Sequence, residues 1–100
     1  MIYYTQLIFL HRGREKEFLE FEDHVLPMLA KYDGKLLYRV RPSEEDIISS
    51  ETGTPYEVHL VSFPARTNFD AYASDPVRQK YLHLKNDSIS RVLLIEGHVV

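Results

Sequence analysis

Two runs decide the fold: Ile2-Tyr3-Tyr4-Thr5-Gln6-Leu7-Ile8-Phe9-Leu10 near the start of the chain and Val92-Leu93-Leu94-Ile95 near its end. Each is rich in β-branched, aromatic and leucine residues, and each is apolar on both of the sides that a strand presents. A sheet built from such strands must be covered twice. In 100 residues there is helical sequence for one covering only. The second face is therefore expected to meet another copy of the chain, which makes this the sequence of an obligate homodimer.

The segments between the two runs supply the rest of the architecture. After Gly13, the apolar residues Phe18, Phe21, Val25, Met28, Leu29 and Tyr32 recur at spacings of three and four, predicting a helix over Arg14 to Tyr32. Glu15, Lys16, Glu17, Glu20, Glu22 and Asp23 are assigned to its wet face. Pro27 removes a backbone donor and predicts a kink or break near His24, and Gly34 is the expected left-handed terminator. Lys35 to Arg41 alternates as a strand. Pro42 to Pro55 reads as a loop, long for a hairpin connection, with Ile47 and Ile48 expected to fold over an apolar rim. Tyr56 to Phe63 is the third strand, ended by Pro64. A short helix follows around Thr67 to Ser74, with Phe69 and Tyr72 inward. Asp75-Pro76 restarts helix as cap and first-turn proline, carrying Val77, Tyr81, Leu84 and Ile89 toward the last strand. The order β-α-β-β-α-β defines an α+β, ferredoxin-like domain over residues 1–100, with both helices on one face of the sheet.

Composition narrows the function. Hydrophobic content of 44% and charge of 27% are ordinary for a globular chain. A net charge of −3 supplies no basic face for nucleic acid. No run approaches the roughly 20 apolar residues that span a bilayer, and no basic-then-apolar signal peptide opens the chain. The expectation is a cytoplasmic protein with no membrane or nucleic-acid partner. There is no cysteine, hence no thiolate ligand or nucleophile.

Matching the central hairpin by polarity sets Leu36, Tyr38 and Val40 with Tyr56, Val58 and Leu60, assigned to the helix side. Arg39 and Arg41 then share the opposite face with Glu57 and His59, joined by Tyr4 and Gln6 or by Tyr3 and Thr5 of the first strand. Ile8, Val61, Leu93 and Ile95 complete that face. An apolar surface with a few convergent polar groups is how small-ligand sites are built, so the candidate site lies on the sheet face away from the helices. Arg39, Arg41 and Glu57 are either ligand contacts or a cross-strand ion pair at an interface rim. His59 is either a general base tuned by a neighbouring carboxylate or a histidine satisfied by Glu57 or Tyr38.

The other histidines are weaker candidates. His11 and His98 end antiparallel strands at opposite edges of the sheet, and His24 and His83 fall on helices as surface or boundary residues. No His-x-His or His-Glu-x-x-His spacing is present, so no metal is expected. No serine sits in a Gly-x-Ser-x-Gly elbow, and the glycines are too scattered to cradle a phosphate. The last point argues against an acylphosphatase, and Glu57-Val58-His59-Leu60 argues against the basic, aromatic strand of an RNA-recognition motif.

Several local runs resemble the dimeric α+β barrel superfamily, and within it a domain-of-unknown-function family. These are His24-Val25-Leu26-Pro27 through Tyr32-Asp33-Gly34-Lys35, Val61-Ser62-Phe63-Pro64, Phe69-Asp70-Ala71-Tyr72, Asp75-Pro76 and Leu94-Ile95-Glu96-Gly97. The resemblance implies two ferredoxin-like protomers packed sheet to sheet around a cavity. Relatives in that group include antibiotic-biosynthesis monooxygenases and EthD-like, YCII-like and stress-responsive proteins. Some of them oxidise aromatic substrates without metal or flavin, so no cofactor is implied. The acidic loop over 43–54 departs from the shorter hairpins of the group.

Two readings follow. In one, the dimer binds or transforms a small anionic or aromatic molecule, by cofactor-independent monooxygenase-like or isomerase-like chemistry if it is an enzyme. His59 then handles a proton, Arg39 and Arg41 attract the ligand, Tyr4 and Gln6 orient it, Glu57 is a further ligand-binding residue, and Ile47 and Ile48 gate entry. In the other, the chain is a non-catalytic dimeric structural or accessory module.

Overall fold

The structure, a computed structural model, describes residues 1–100. Four strands, β1 (Ile2–Leu10), β2 (Lys35–Val40), β3 (Glu57–Phe63) and β4 (Ile89–His98), form one antiparallel sheet in the order β2-β3-β1-β4. The helices α1 (Glu15–Val25), α2 (Arg66–Ala73), α3 (Pro76–Lys80) and α4 (Leu82–Ser88) supply the other layer. This is the ferredoxin-like arrangement that the alternation of periods two and three-to-four required.

Local chemistry sets the element ends. Glu15 and Glu17 lie in the first turn of α1, where the partial positive charge of the helix start favours them. The α-helix stops at Val25, and a 3-10 segment from Leu26 to Tyr32 accommodates Pro27, whose missing donor breaks the α ladder. Asp33, not Gly34, takes the left-handed conformation, at φ 60°. Gly34 is required for a different reason: a Cβ there would lie 2.6 Å from Cε1 of the buried Phe63 ring. Asp75 caps α3 by accepting from the backbone N–H of Val77 at 2.7 Å. The same carboxylate accepts from Lys31 Nζ and the Tyr32 hydroxyl, tying the 3-10 segment to α3.

Register settles the faces. Ile2, Tyr4, Gln6 and Ile8 of β1 pair with Phe63, Val61, His59 and Glu57 of β3. Ile2, Tyr4, Ile8, Glu57, His59, Val61 and Phe63 are buried under the helices, and the main core joins Ile2, Tyr4, Val61 and Phe63 to Leu29 and Tyr72. The polarity match within the hairpin holds: Tyr38 pairs with Leu60, Val40 with Val58 and Arg39 with His59. Its assignment to faces is reversed. Glu57, His59 and Val61 look toward the helices together with Ile8, whereas Tyr38 and Val40 look away and join Leu93 and Ile95, which lie on that outer face as expected; these four are all at least 37% exposed. A bulge between Leu36 and Tyr38 also shifts Leu36 to the helix side, opposite Val61. The inversion has a physical cause. The polar side chains of the inner face satisfy one another and so can be buried, whereas nothing within the chain covers the apolar outer face.

Three smaller expectations also change. Glu22, assigned to solvent, is only 5% exposed. Val77 points outward. Ile48 is fully exposed rather than folded over a rim, while Ser43 and Asp46 close a short capped 3-10 turn beside it. No helix is long and apolar enough to cross a membrane.

Candidate functional site

The strand alternation that buries Val61 and Phe63 also carries Glu57 and His59 beneath the helices, and β2 sets Arg39 directly across from His59. Glu57 Oε1 accepts from Arg39 Nε at 2.7 Å and from His59 Nε2 at 2.8 Å. Its Oε2 accepts from Arg39 Nη2 at 3.1 Å and from Arg41 Nη2. Burial pushes the Glu57 carboxyl up, but the hydrogen bonds from His59, Arg39 and Arg41 outweigh it and hold the group at about 2. Glu57 is thus a fixed anion inside the fold, neutralised by two guanidinium groups.

An ionised Glu57 can only accept, so His59 Nε2 carries the hydrogen of that bond, which in the neutral imidazole leaves the lone pair on Nδ1. Nδ1 faces Glu22 Oε2 of α1 across 3.9 Å, too far for a hydrogen bond. Glu22 Oε2 is buried and has no partner. Burial raises the Glu22 carboxyl from 4.5 to about 7, against the pull of His59 and Arg39. Near neutral pH this group is therefore divided between acid and carboxylate.

Glu22 and His59 sit on the wall of a cavity of about 160 Å³ between the sheet and the helices. Gln6, the β1 neighbour of His59, and the Tyr4 ring line the same space. The Tyr4 hydroxyl is engaged elsewhere, donating to Glu96 at 2.9 Å, and its ring stacks on Phe69 at 4.1 Å. Val25, Leu29, Phe63 and Val61 make much of the apolar wall. The cavity reaches the surface at β4, where its lining residues Val92 and Leu94 are exposed. Arg78 of α3 and Lys85 of α4 complete the lining. No grouping of three or more His, Asp and Glu side chains is arranged to hold a metal ion.

All six residues singled out in the sequence lie on one side of the sheet, but it is the helix side. The expectation that these residues lie on the face away from the helices is corrected accordingly. Tyr4, Gln6 and His59 border the cavity, Glu57 stands behind His59, and Arg39 and Arg41 direct their charge at Glu57 without lining the space. Tyr38 is on the outer face and plays no part in satisfying His59. Glu22, Arg78 and Lys85 were missed. The signal for Glu22 was present: it lies one helical turn after Phe18 and beside Phe21, within the apolar stripe rather than opposite it. Nothing local distinguishes Arg78 and Lys85 from the surface cation Lys80.

No protein-family model matches the chain, and no curated protein matches it. Solved structures do. A protein of unknown function from Rhodopseudomonas palustris superposes with a TM-score of 0.83 at 14% identity, covering 99% of this chain and 82% of that one. A dimeric ferredoxin-like protein of unknown function from a Jannaschia species gives a TM-score of 0.73 at 17% identity, covering 98% of each chain. A dabb family protein with a ferredoxin-like fold from Mesorhizobium loti gives 0.68 at 15%, covering 99% and 96%. At these identities the likeness establishes the fold, and the chain shares it with proteins of unknown function.

Proposed function

We propose that the chain is a dimeric α+β barrel protomer whose cavity binds an enolisable carbonyl compound the size of a single ring and moves a proton on it. The observation that carries this reading is the buried Glu57–His59 pair on the cavity wall, with Nδ1 of His59 beside the unpartnered Glu22 carboxyl. A ligand seated in the cavity against both side chains meets a base and an acid at once. His59 Nδ1 takes a proton from the carbon next to the carbonyl, and the C–H pair becomes the new C=C bond. The carbonyl π pair moves onto oxygen, which takes the proton of the Glu22 carboxyl. Glu57 holds the imidazole in orientation and stabilises it once protonated. The cycle closes when His59 returns its proton to Glu22, with no oxidant or cofactor consumed.

The cavity volume of about 160 Å³ is close to the ~150 Å³ of an apolar cavity that accepts benzene, which is why one ring sets the size. The same volume falls below the ~300 Å³ at which most ligand pockets begin, and that favours the second reading, an accessory module without turnover. Dimerisation through the outer face is supported by the exposure of Tyr38, Val40, Leu93 and Ile95 there and by the dimeric state of the Jannaschia protein. The test is proton exchange: deuterium uptake at the benzylic carbon of phenylpyruvate, followed by NMR in D2O. The wild-type chain is expected to accelerate uptake, and His59→Gln to lose about 100-fold or more of that acceleration while keeping its far-UV circular dichroism. Uptake at the buffer rate with wild-type protein leaves the module reading in its place.

A further inference from the structure

Arg78 and Lys85 are the cations of the cavity wall, and neither is paired with a carboxylate. Every other arginine near the sheet's inner face is committed: Arg39 and Arg41 to Glu57, Arg66 to Glu96. Arg78 is held in place without being neutralised. Its guanidinium lies over the rings of Tyr72 at 5.1 Å and Phe21 at 5.6 Å, and Nη1 donates to the Ala73 carbonyl at 3.3 Å. Its Nε is buried and has no partner. A buried charged donor left unsatisfied is costly, so this arrangement is built to receive an acceptor.

Lys85 approaches the same space from α4. Burial and the nearby Arg78 charge both lower its pKa, so two like charges are held together over an apolar cavity. Such a pair is relieved by an anion. Glu22 offsets the two cations only in part: it borders the same cavity and its charge acts on both, but it forms no ion pair or hydrogen bond with either, and its unpartnered Oε2 faces His59.

We infer that Arg78 and Lys85 form a carboxylate-binding subsite, so that the ligand of this cavity is a small keto acid or related carboxylic acid. Its acid group is held by the two cations and its enolisable carbon lies at Glu22 and His59. This inference rests on the proton-transfer reading and names the substrate class for it. The subsite also separates recognition from chemistry: α3 and α4 hold the charge of the ligand, while α1 and β3 act on it. A guanidinium with a free donor suits a carboxylate oxygen, and the flexible ammonium of Lys85 contributes a second charge without fixing geometry.

The test compares phenylpyruvate with phenylacetone, which has the same ring and ketone but no carboxylate, by NMR titration of the full chain. Wild-type protein is expected to bind phenylpyruvate at least tenfold more tightly. Lys85→Gln and Arg78→Gln should each reduce that preference, read as the ratio of the two affinities in the same variant, severalfold. Arg78 also packs on two aromatic rings, so Lys85→Gln is the variant on which a change in folding is not expected, and Arg78→Lys should restore part of the preference. Equal affinity for the two probes, unaltered in the variants, overturns the subsite and leaves the acid–base reading standing. Binding of neither probe overturns both.

Discussion

Replacing Glu22 by glutamine is expected to stabilise this protein, and only above a certain pH. The carboxyl is 5% exposed, one of its oxygens has no partner, and burial raises it from 4.5 to about 7. Between those two values the folded chain holds a proton that the unfolded chain has released, so stability falls as pH rises through the window and levels off above it. At ~1.4 kcal/mol per pH unit, the full displacement amounts to roughly 3 kcal/mol. Glu22→Gln keeps the shape and removes the charge. Urea unfolding followed by circular dichroism, at one protein concentration for both proteins, measures the difference. The variant's advantage over wild type should be small near pH 4.5 and grow by about 3 kcal/mol by around pH 8. Other titrating groups are common to both proteins and cancel. A difference that stays flat across the window would mean that Glu22 ionises normally, and the proton-donor role assigned to it would go with that result. The stabilised variant should also lose proton exchange on phenylpyruvate, the usual cost of relaxing a strained site.

Other expectations test separate parts of the structure. Glu57 behaves in the opposite sense: held at about 2 rather than 4.5, it contributes stability that is complete above 4.5 and is lost as pH falls toward 2. Wild type should therefore show an acid-unfolding limb in that window which Glu57→Gln lacks; a limb of equal size in both would assign the acid sensitivity to other groups. Gly34→Ala should lower the unfolding free energy by about 1–3 kcal/mol, since the new methyl would sit 2.6 Å from the Phe63 ring; an unchanged denaturation midpoint would show that the ring yields freely. Leu93→Glu, on the bare outer face, should convert a dimer to a monomer by light scattering with its circular dichroism intact. A persisting dimer would move the interface elsewhere.

Local periodicity alone determined the element order and the α+β class, because hydrophobic spacing follows directly from whether a segment is helix or strand. It also paired the right side chains across the hairpin: Arg39 with His59, with Glu57 and Arg41 on the same side. Alternation says which residues share a face but not which face meets the helices. That choice belongs to the tertiary structure, where Glu57 is satisfied by His59 and two arginines and can be buried, while Leu93 and Ile95 find no cover within the chain. Gly34 shows the same division: its position after a helical run was legible, but the reason for it, an approach to Phe63 from a distant strand, was not. Glu22, Arg78 and Lys85 became a set only when α1, α3 and α4 closed over β1 and β3. A charge's neighbours across a cavity are fixed by how the elements pack, and no spacing along the chain encodes them.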